Sequence, residues 1–240
     1  MLAVLRQRDF VLLWLARLVS IADDLAFVVA LPLHVYRLTD STLATAATFV
    51  PSSMPVVLFG SVAGVFVDRW DRKRTMIFAD AVRSALLLPL LLAPDQLGMI
   101  YTIAIIQRAV GLFFSPAESA LLPKLVEKER LVTANALNSL NDTIAFLVGP
   151  ALGSLLYATS GIGRVTVINA VTYLGSATLI QGIVADGRPE RNESGTSQEQ
   201  SAWLRGYQEW IEGLRLSFAT GRFGFSSCRS LWRVWRKVSS

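Results

Sequence analysis

Residues 43–67 carry no charged side chain, and the run closes on Gly64-Val-Phe-Val-Asp68-Arg69-Trp70-Asp71-Arg72-Lys73-Arg74 before a second apolar stretch begins. A helix of about 20 apolar residues crosses a hydrocarbon core of roughly 30 Å, so both stretches are long enough to span a bilayer. A short loop between two spans that holds this many basic residues belongs on the cytoplasmic side by the positive-inside bias. The orientation of every other span follows by alternation.

Composition agrees with that start. With 52% hydrophobic and 17% charged residues and a mean hydropathy of +0.46, the chain is too apolar for a soluble domain of 240 residues and reads as a multi-pass membrane protein. The net charge of +5 and the pI near 9.7 do not signal nucleic acid, because the basic residues segregate by side. Among the 23 Lys and Arg, only Arg37 and Arg164 fall in outer turns, and Arg17, Arg83 and Arg108 fall within spans. That asymmetry is topology rather than a DNA footprint. One cysteine, Cys228, and one histidine, His34, supply neither a disulfide framework nor a His/Cys metal site. The first apolar segment is too long for a cleavable signal and lacks a small-residue cleavage site.

The expected fold is all-α, with six spans over 10–36, 43–67, 75–93, 97–122, 140–160 and 165–185, forming one transmembrane domain over 1–185. An even number of spans puts both ends in the cytoplasm. The outer turns at 38–41, 93–95 and 161–163 are short, as tight helical hairpins require. Residues 186–202 are polar and read as a flexible cytoplasmic linker. Over 203–218, Trp203, Leu204, Tyr207, Trp210, Ile211, Leu214 and Phe218 recur at helical spacing, which fits an amphipathic helix in the membrane interface or one docked on a partner. Residues 219–240 form a basic tail.

Several motifs carry physical content. Gly60 and Gly64 lie four apart and would let another helix approach, and Asp68 places a carboxylate at the cytoplasmic end of the same span. Pro51 and Pro55 in the second span and Gly149-Pro150 in the fifth are expected to kink their helices. Ala151, Gly153 and Ser154 beside Pro150 make a close-packing face. His34 near the outer end of the first span reads as an interfacial polar residue. Charges within spans are costly, about 2.5–3.5 kcal/mol each at helix centre, so each needs a partner or a wet surface. Asp23 and Asp24 lie about 20 Å into the first span. They either bind a proton or a cationic substrate, or pair with Arg108 in the fourth span, with Arg17 as the alternative partner. Arg83 and Asp80, three apart, are expected to brace the loop, and Glu118 and Asp142 to sit at the interface.

The order G-x-x-x-D-R-x-x-R-K-R over 64–74 resembles the signature loop of the major facilitator superfamily. Asp23-Asp24 followed by Ala30-Leu31-Pro32 is similar to the D-x(6)-A-L-P first-span pattern of its drug exporters, Arg108 with Gly111 and Pro116-Ala117 to their fourth-span Arg-Gly segment, and Gly149-Pro150-Ala-Leu-Gly153-Ser154 to their fifth-span antiporter motif. The resemblance covers about 1–185 and is nearest to bacterial macrolide and siderophore effluxers. It implies one six-span half of a 3+3 inverted-repeat fold in the cell membrane, without cofactor or metal, coupled to protons and carrying a small amphipathic compound. It implies a gating loop of Gly64, Asp68, Arg69, Arg72, Lys73 and Arg74, a substrate or proton pathway of Asp23, Asp24 and Arg108, and helix packing through Gly149, Pro150 and Gly153. Such carriers have two halves, and the tail after 218 is unlike a seventh span. A truncated product is therefore expected, whose partners are the bilayer, a substrate, and a second half or a second copy.

The competing reading is a membrane protein that recruits a partner without transporting anything. An intramembrane enzyme fails on inventory, since no nucleophile-base or metal constellation occurs in the spans. The topology has a direct check: a reporter fused after Pro94 is expected to behave as external and one after Lys73 as internal. Reversed activities would exclude this orientation.

Overall fold

The computed structural model describes residues 4–67, 69–185, 187 and 188; the side chains of Asp23, Ser61, Val62 and Val65 are not among the described positions. The chain divides into two units, Met1–Glu190 and Arg191–Ser240, and every described residue belongs to the first. Asp68 lies outside the described residues. So do the segments expected at 203–218 and 219–240 and, except for Gly187 and Arg188, the linker at 186–202.

The described secondary structure is helical throughout: α1 (Arg8–Thr39), α2 (Thr42–Ala47), α3 (Phe49–Val67), α4 (Arg72–Leu92), α5 (Leu97–Gly111), α6 (Phe114–Leu125) and α7 (Leu131–Gln181), with a 3-10 turn at Lys128–Arg130. Five stretches are long and apolar enough to cross a bilayer: Arg8–Thr39, Thr42–Gly60, Arg72–Leu92, Leu97–Leu125 and Lys128–Gln181. Two of the expected spans are therefore interrupted, and two are merged.

Proline explains the interruptions. Pro51 has no N–H to donate to the carbonyl of Ala47, and the chain breaks between α2 and α3 at Thr48, whose hydroxyl turns back to Thr45 O at 2.6 Å. Pro116 stands in the same relation to Leu112, between α5 and α6. Pro150, in contrast, does not take α7 out of helical geometry as the sequence suggested; the only non-helical backbone inside α7 is at Gly161.

At 51 residues α7 would be about 75 Å long if straight, more than twice the thickness of a bilayer core. Gly161 divides it, with φ 70° and ψ 178°, a conformation essentially confined to glycine. Contacts with α1 show that the chain turns back there. On the first arm of α7, Asn141, Gly149 and Tyr157 meet Trp14, Ala22 and His34 in ascending order. On the second arm Tyr173 meets Asp24, and just past its end Ala185 meets Asp9, in descending order. The two arms thus run in opposite directions along α1. At the other hairpin Asp40 adopts a left-handed conformation (φ 47°), which aspartate tolerates better than most residues, and Ser41 caps α2 by accepting from Ala44 N at 3.3 Å.

Apolar packing falls into layers. Phe10, Leu13, Met76, Leu121 and Ile180 centre the core at the end where α1 begins, and Leu31, Leu87, Leu90, Ile100 and Tyr173 a second one further along. The α1–α7 seam is the tightest. A Cβ on Gly149 would stand 2.7 Å from Leu25 Cβ and 2.8 Å from Ala22 O, and one on Gly153 would collide with the backbone of Ala26. Nothing comes within 4 Å of the same position on Gly64, so among the described residues no helix uses the approach that Gly64 permits. Gly153→Ala is accordingly expected to cost about 1–3 kcal/mol through overpacking, read as a lower unfolding midpoint in detergent, whereas Gly64→Ala should leave the midpoint unchanged or slightly raised.

Candidate functional site

Between the two apolar cores runs a polar layer built by four helices. Arg83 on α4 is buried, and its guanidinium donates to the carboxylate of Asp24 on α1, to Tyr173 Oη on α7 at 2.6 Å and to Gln107 Oε1 on α5 at 3.2 Å. Tyr173 also donates to Asp24, and its ring lies 4.1 Å from the guanidinium carbon. Gln107 returns a bond from Nε2 to the carbonyl of Arg83 at 2.9 Å, and Ser84 on the next position of α4 donates to Ala170 O at 2.9 Å. Asp80, with no exposed surface, lies 3.8 Å from the remaining guanidinium nitrogen. Two nitrogens of the Arg83 guanidinium are thus hydrogen-bonded and the third faces a carboxylate at ion-pair distance, the compensation that a buried cation requires.

This arrangement corrects the expected pairing. Asp24 is held by Arg83, and Arg83 serves the layer rather than the loop. The reason lies in α5: Gln107 takes the face toward α4, which turns the next side chain, Arg108, about 100° away. Arg108 is exposed, and among the described residues it has neither an ion-pair nor a side-chain hydrogen-bond partner. Nothing is described of the Asp23 side chain. Arg17, the alternative partner, is also engaged elsewhere: it donates to Glu118 on α6 and to Asp142 on α7 at 2.8 Å. Glu118 is only 1% exposed and accepts from Asn138 Nδ2 at 3.1 Å as well, so it is a buried partner rather than an interfacial residue. His34 is likewise buried, bridging Tyr157 Oη at 3.3 Å and Pro94 O at 2.9 Å.

The layer floors a cavity of about 100 Å³. Asp24, Arg83, Gln107, Arg108 and Tyr173 supply its polar lining, and Phe27, Leu31, Pro32, Phe49 and Ala104 its apolar walls. Asp24 and Arg108 therefore share one space without touching. Arg83, Gln107 and Tyr173 are the lining groups that motif matching missed. The available signal was physical rather than positional, since a buried arginine must be met by acceptors and two of the nearest polar side chains in neighbouring spans are a glutamine and a tyrosine.

At the end of the bundle where α1 begins, the basic loop is divided in its contacts. Asp71 caps α4 by accepting from Arg74 N at 3.1 Å, which offsets the unfavourable placement of Arg72, Lys73 and Arg74 at a helix N-terminus. Lys73 Nζ donates to Ile183 O at 2.5 Å and Arg72 N to Gly187 O at 3.0 Å. Lys124 Nζ reaches Arg188 O at 2.5 Å, and Asp9 accepts from the backbone of Val184 and Ala185. The segment that follows α7 is thereby held by two lysines and a backbone amide on its carbonyls and by a carboxylate on its amides. Arg69 and Arg74 remain exposed.

Sequence comparison places the chain among known proteins. The pattern of the transmembrane secretion effector family matches residues 1–204. An uncharacterised MFS-type transporter of Bacillus subtilis, YfiS, is 28% identical over 196 residues, covering 82% of this chain and 46% of that protein. Another from the same organism, YkuC, is 28% identical over 184 residues, covering 74% of this chain and 42% of that protein. Macrolide efflux protein A of Streptococcus pyogenes is 28% identical over 171 residues, covering 70% and 42% respectively. The chain spans less than half the length of these curated relatives. No solved structure matches it.

The polar layer makes an energetic prediction. Arg83→Met or Asp24→Asn alone should cost about 3–5 kcal/mol, because each strands a buried partner, while the double variant should cost clearly less than the sum. Arg108→Gln should be near neutral in the same denaturation assay.

Proposed function

The chain belongs to the transmembrane secretion effector family of major facilitator transporters, membrane proteins rather than enzymes, and from that premise we propose that it forms a six-span half of an exporter of small amphipathic compounds. The observation that carries this reading is the cavity: a polar floor inside an otherwise apolar bundle, open to a ligand and built from residues of four helices. Isolated intramembrane charges are retained where they line a substrate path or hold its wall, and Asp24, Arg83 and Arg108 meet that description together. A relative named for macrolide efflux supports an amphipathic cargo and the outward direction.

In this reading the six crossings form a 3+3 inverted repeat in the cell membrane, the fifth and sixth being the two arms of α7, and both ends of the chain are cytoplasmic. The small-residue face of Gly149, Pro150 and Gly153 on α7, packed against α1, is the surface on which helices shift during alternating access. Asp68 with Arg69 and Arg74 forms the latch toward an opposing half, because Lys73 Nζ and the Arg72 guanidinium already reach carbonyls of this chain. Proton coupling drives the cycle. The opposing wall comes from a second half, whether in the same polypeptide, in another one or in a second copy.

Exposed apolar side chains along α3, among them Phe49, Val50, Met54 and Val57, fit burial against lipid or that second half. Cells making only the 240-residue chain as a monomer are therefore expected to show no gradient-dependent efflux of a panel of amphipathic drugs, and efflux should appear when a second half is supplied. Robust efflux by a monomer, scored together with oligomeric state in detergent, would overturn the two-wall mechanism.

A further inference from the structure

The two carboxylate-bearing or cationic groups that the cavity exposes are not equivalent. Asp24 is already neutralised. Its carboxylate accepts from Arg83 and Tyr173, and Arg83 is buried with Asp80 as its one further counter-charge among the described residues. A cationic ligand drawn to Asp24 would have to displace a resident guanidinium and leave it buried, which is the costly state for a charge in an apolar interior. Arg108 is the opposite case. It lines the same space, is exposed, and among the described residues has no partner.

How an unpaired arginine is tolerated within a span is also legible. Arg108 lies in the last turn of α5, where the free carbonyls of the helix end favour a cation, and α5 stops at Gly111. That stabilisation leaves the planar donor fork free to meet a ligand. A guanidinium in a partly dry pocket binds a carboxylate through two parallel charge-assisted hydrogen bonds, the strongest match among common ligand groups. The apolar side of the pocket, with Phe27, Leu31 and Phe49, lies against the same opening.

We infer that this half selects amphiphiles bearing a carboxylate, with Arg108 as the anchoring residue and Asp24 committed to Arg83. The inference rests on the transport reading and narrows its substrate class. It also separates the two intramembrane charges by role: Arg108 meets cargo, and Asp24 keeps Arg83 in place.

The test uses a matched pair of fluorescent probes, dansyl-leucine and dansyl-leucinamide, which share the apolar body and differ in the carboxylate. Binding to the full 240-residue chain in lipid nanodiscs is followed by fluorescence for the unaltered protein, Arg108→Gln and Arg108→Lys. The expected result is affinity at least about tenfold higher for the acid, a preference abolished by Arg108→Gln and partly kept by Arg108→Lys. Equal affinities, a preference for the amide, or an acid preference that survives Arg108→Gln would overturn the selection by charge while leaving a ligand cavity intact. Absence of binding by either probe to correctly folded chain would overturn the cavity as a ligand site, and the transport reading with it.

Discussion

A single buried guanidinium organises this bundle. Arg83 sits where four helices converge, and each contributes one part of its coordination: Asp24 from α1, Gln107 from α5, Tyr173 from α7, and Asp80 from its own helix. In a bilayer there is no water to accept the charge, so these helices cannot separate or rotate freely without exposing an unpaired ion. Apolar packing alone would not impose such a register, because one lipid-like surface fits another almost as well as its native partner. The polar layer fixes the heights of the helices, and the leucine-rich cores above and below fill the space that this register defines.

Two further devices work on the same helices at different levels. Gly149 and Gly153 bring the backbone of α7 against that of α1 at Ala22 and Ala26, a distance at which even a methyl group collides. Near the start of α1, the first turn of α4 lies beside the segment that follows α7, and Lys73 Nζ and the Arg72 amide donate to the carbonyls of Ile183 and Gly187. The seam thus depends on the absence of side chains and the clamp on their length. Gly187 belongs with both, since a Cβ there would stand 2.8 Å from Lys73 N and Lys73 Cβ.

Much of this was legible in the sequence because hydropathy and charge act through simple sums. The apolar runs gave the helices, and the turn expected at 161–163 lies where the backbone of α7 reverses at Gly161. Proline was read less well. Pro51 interrupts its span as expected and Pro116 interrupts one that reads as continuous, yet Pro55 and Pro150, also expected to kink their helices, lie within α3 and α7, because the outcome depends on whether neighbours can absorb the lost hydrogen bond and the ring. Pairing of charges was the least legible. Asp24 was expected to meet Arg108, and what decides otherwise is the angular phase of α5, where a shift of one residue exchanges a buried glutamine for an exposed arginine. Glu118 shows the same limit: its position near a helix end suggested the interface, while Arg17 and Asn138 hold it in the interior.

The phase of α5 also has a functional consequence. Of the three arginines within the spans, Arg17 and Arg83 are satisfied by carboxylates of this chain, and each ties α1 to other helices. They are structural cations whose removal strands a partner. Arg108 is exposed, ties nothing together among the described residues, and lies in the last turn of its own helix, where the free carbonyls favour a cation. The basic loop divides likewise: Lys73 Nζ and the Arg72 guanidinium reach carbonyls after α7, Arg74 pairs with Asp71 at 3.6 Å, and Arg69 is exposed. In both places the sequence presents a run of similar cations, and the fold separates those engaged by this chain's own groups from those that stay exposed.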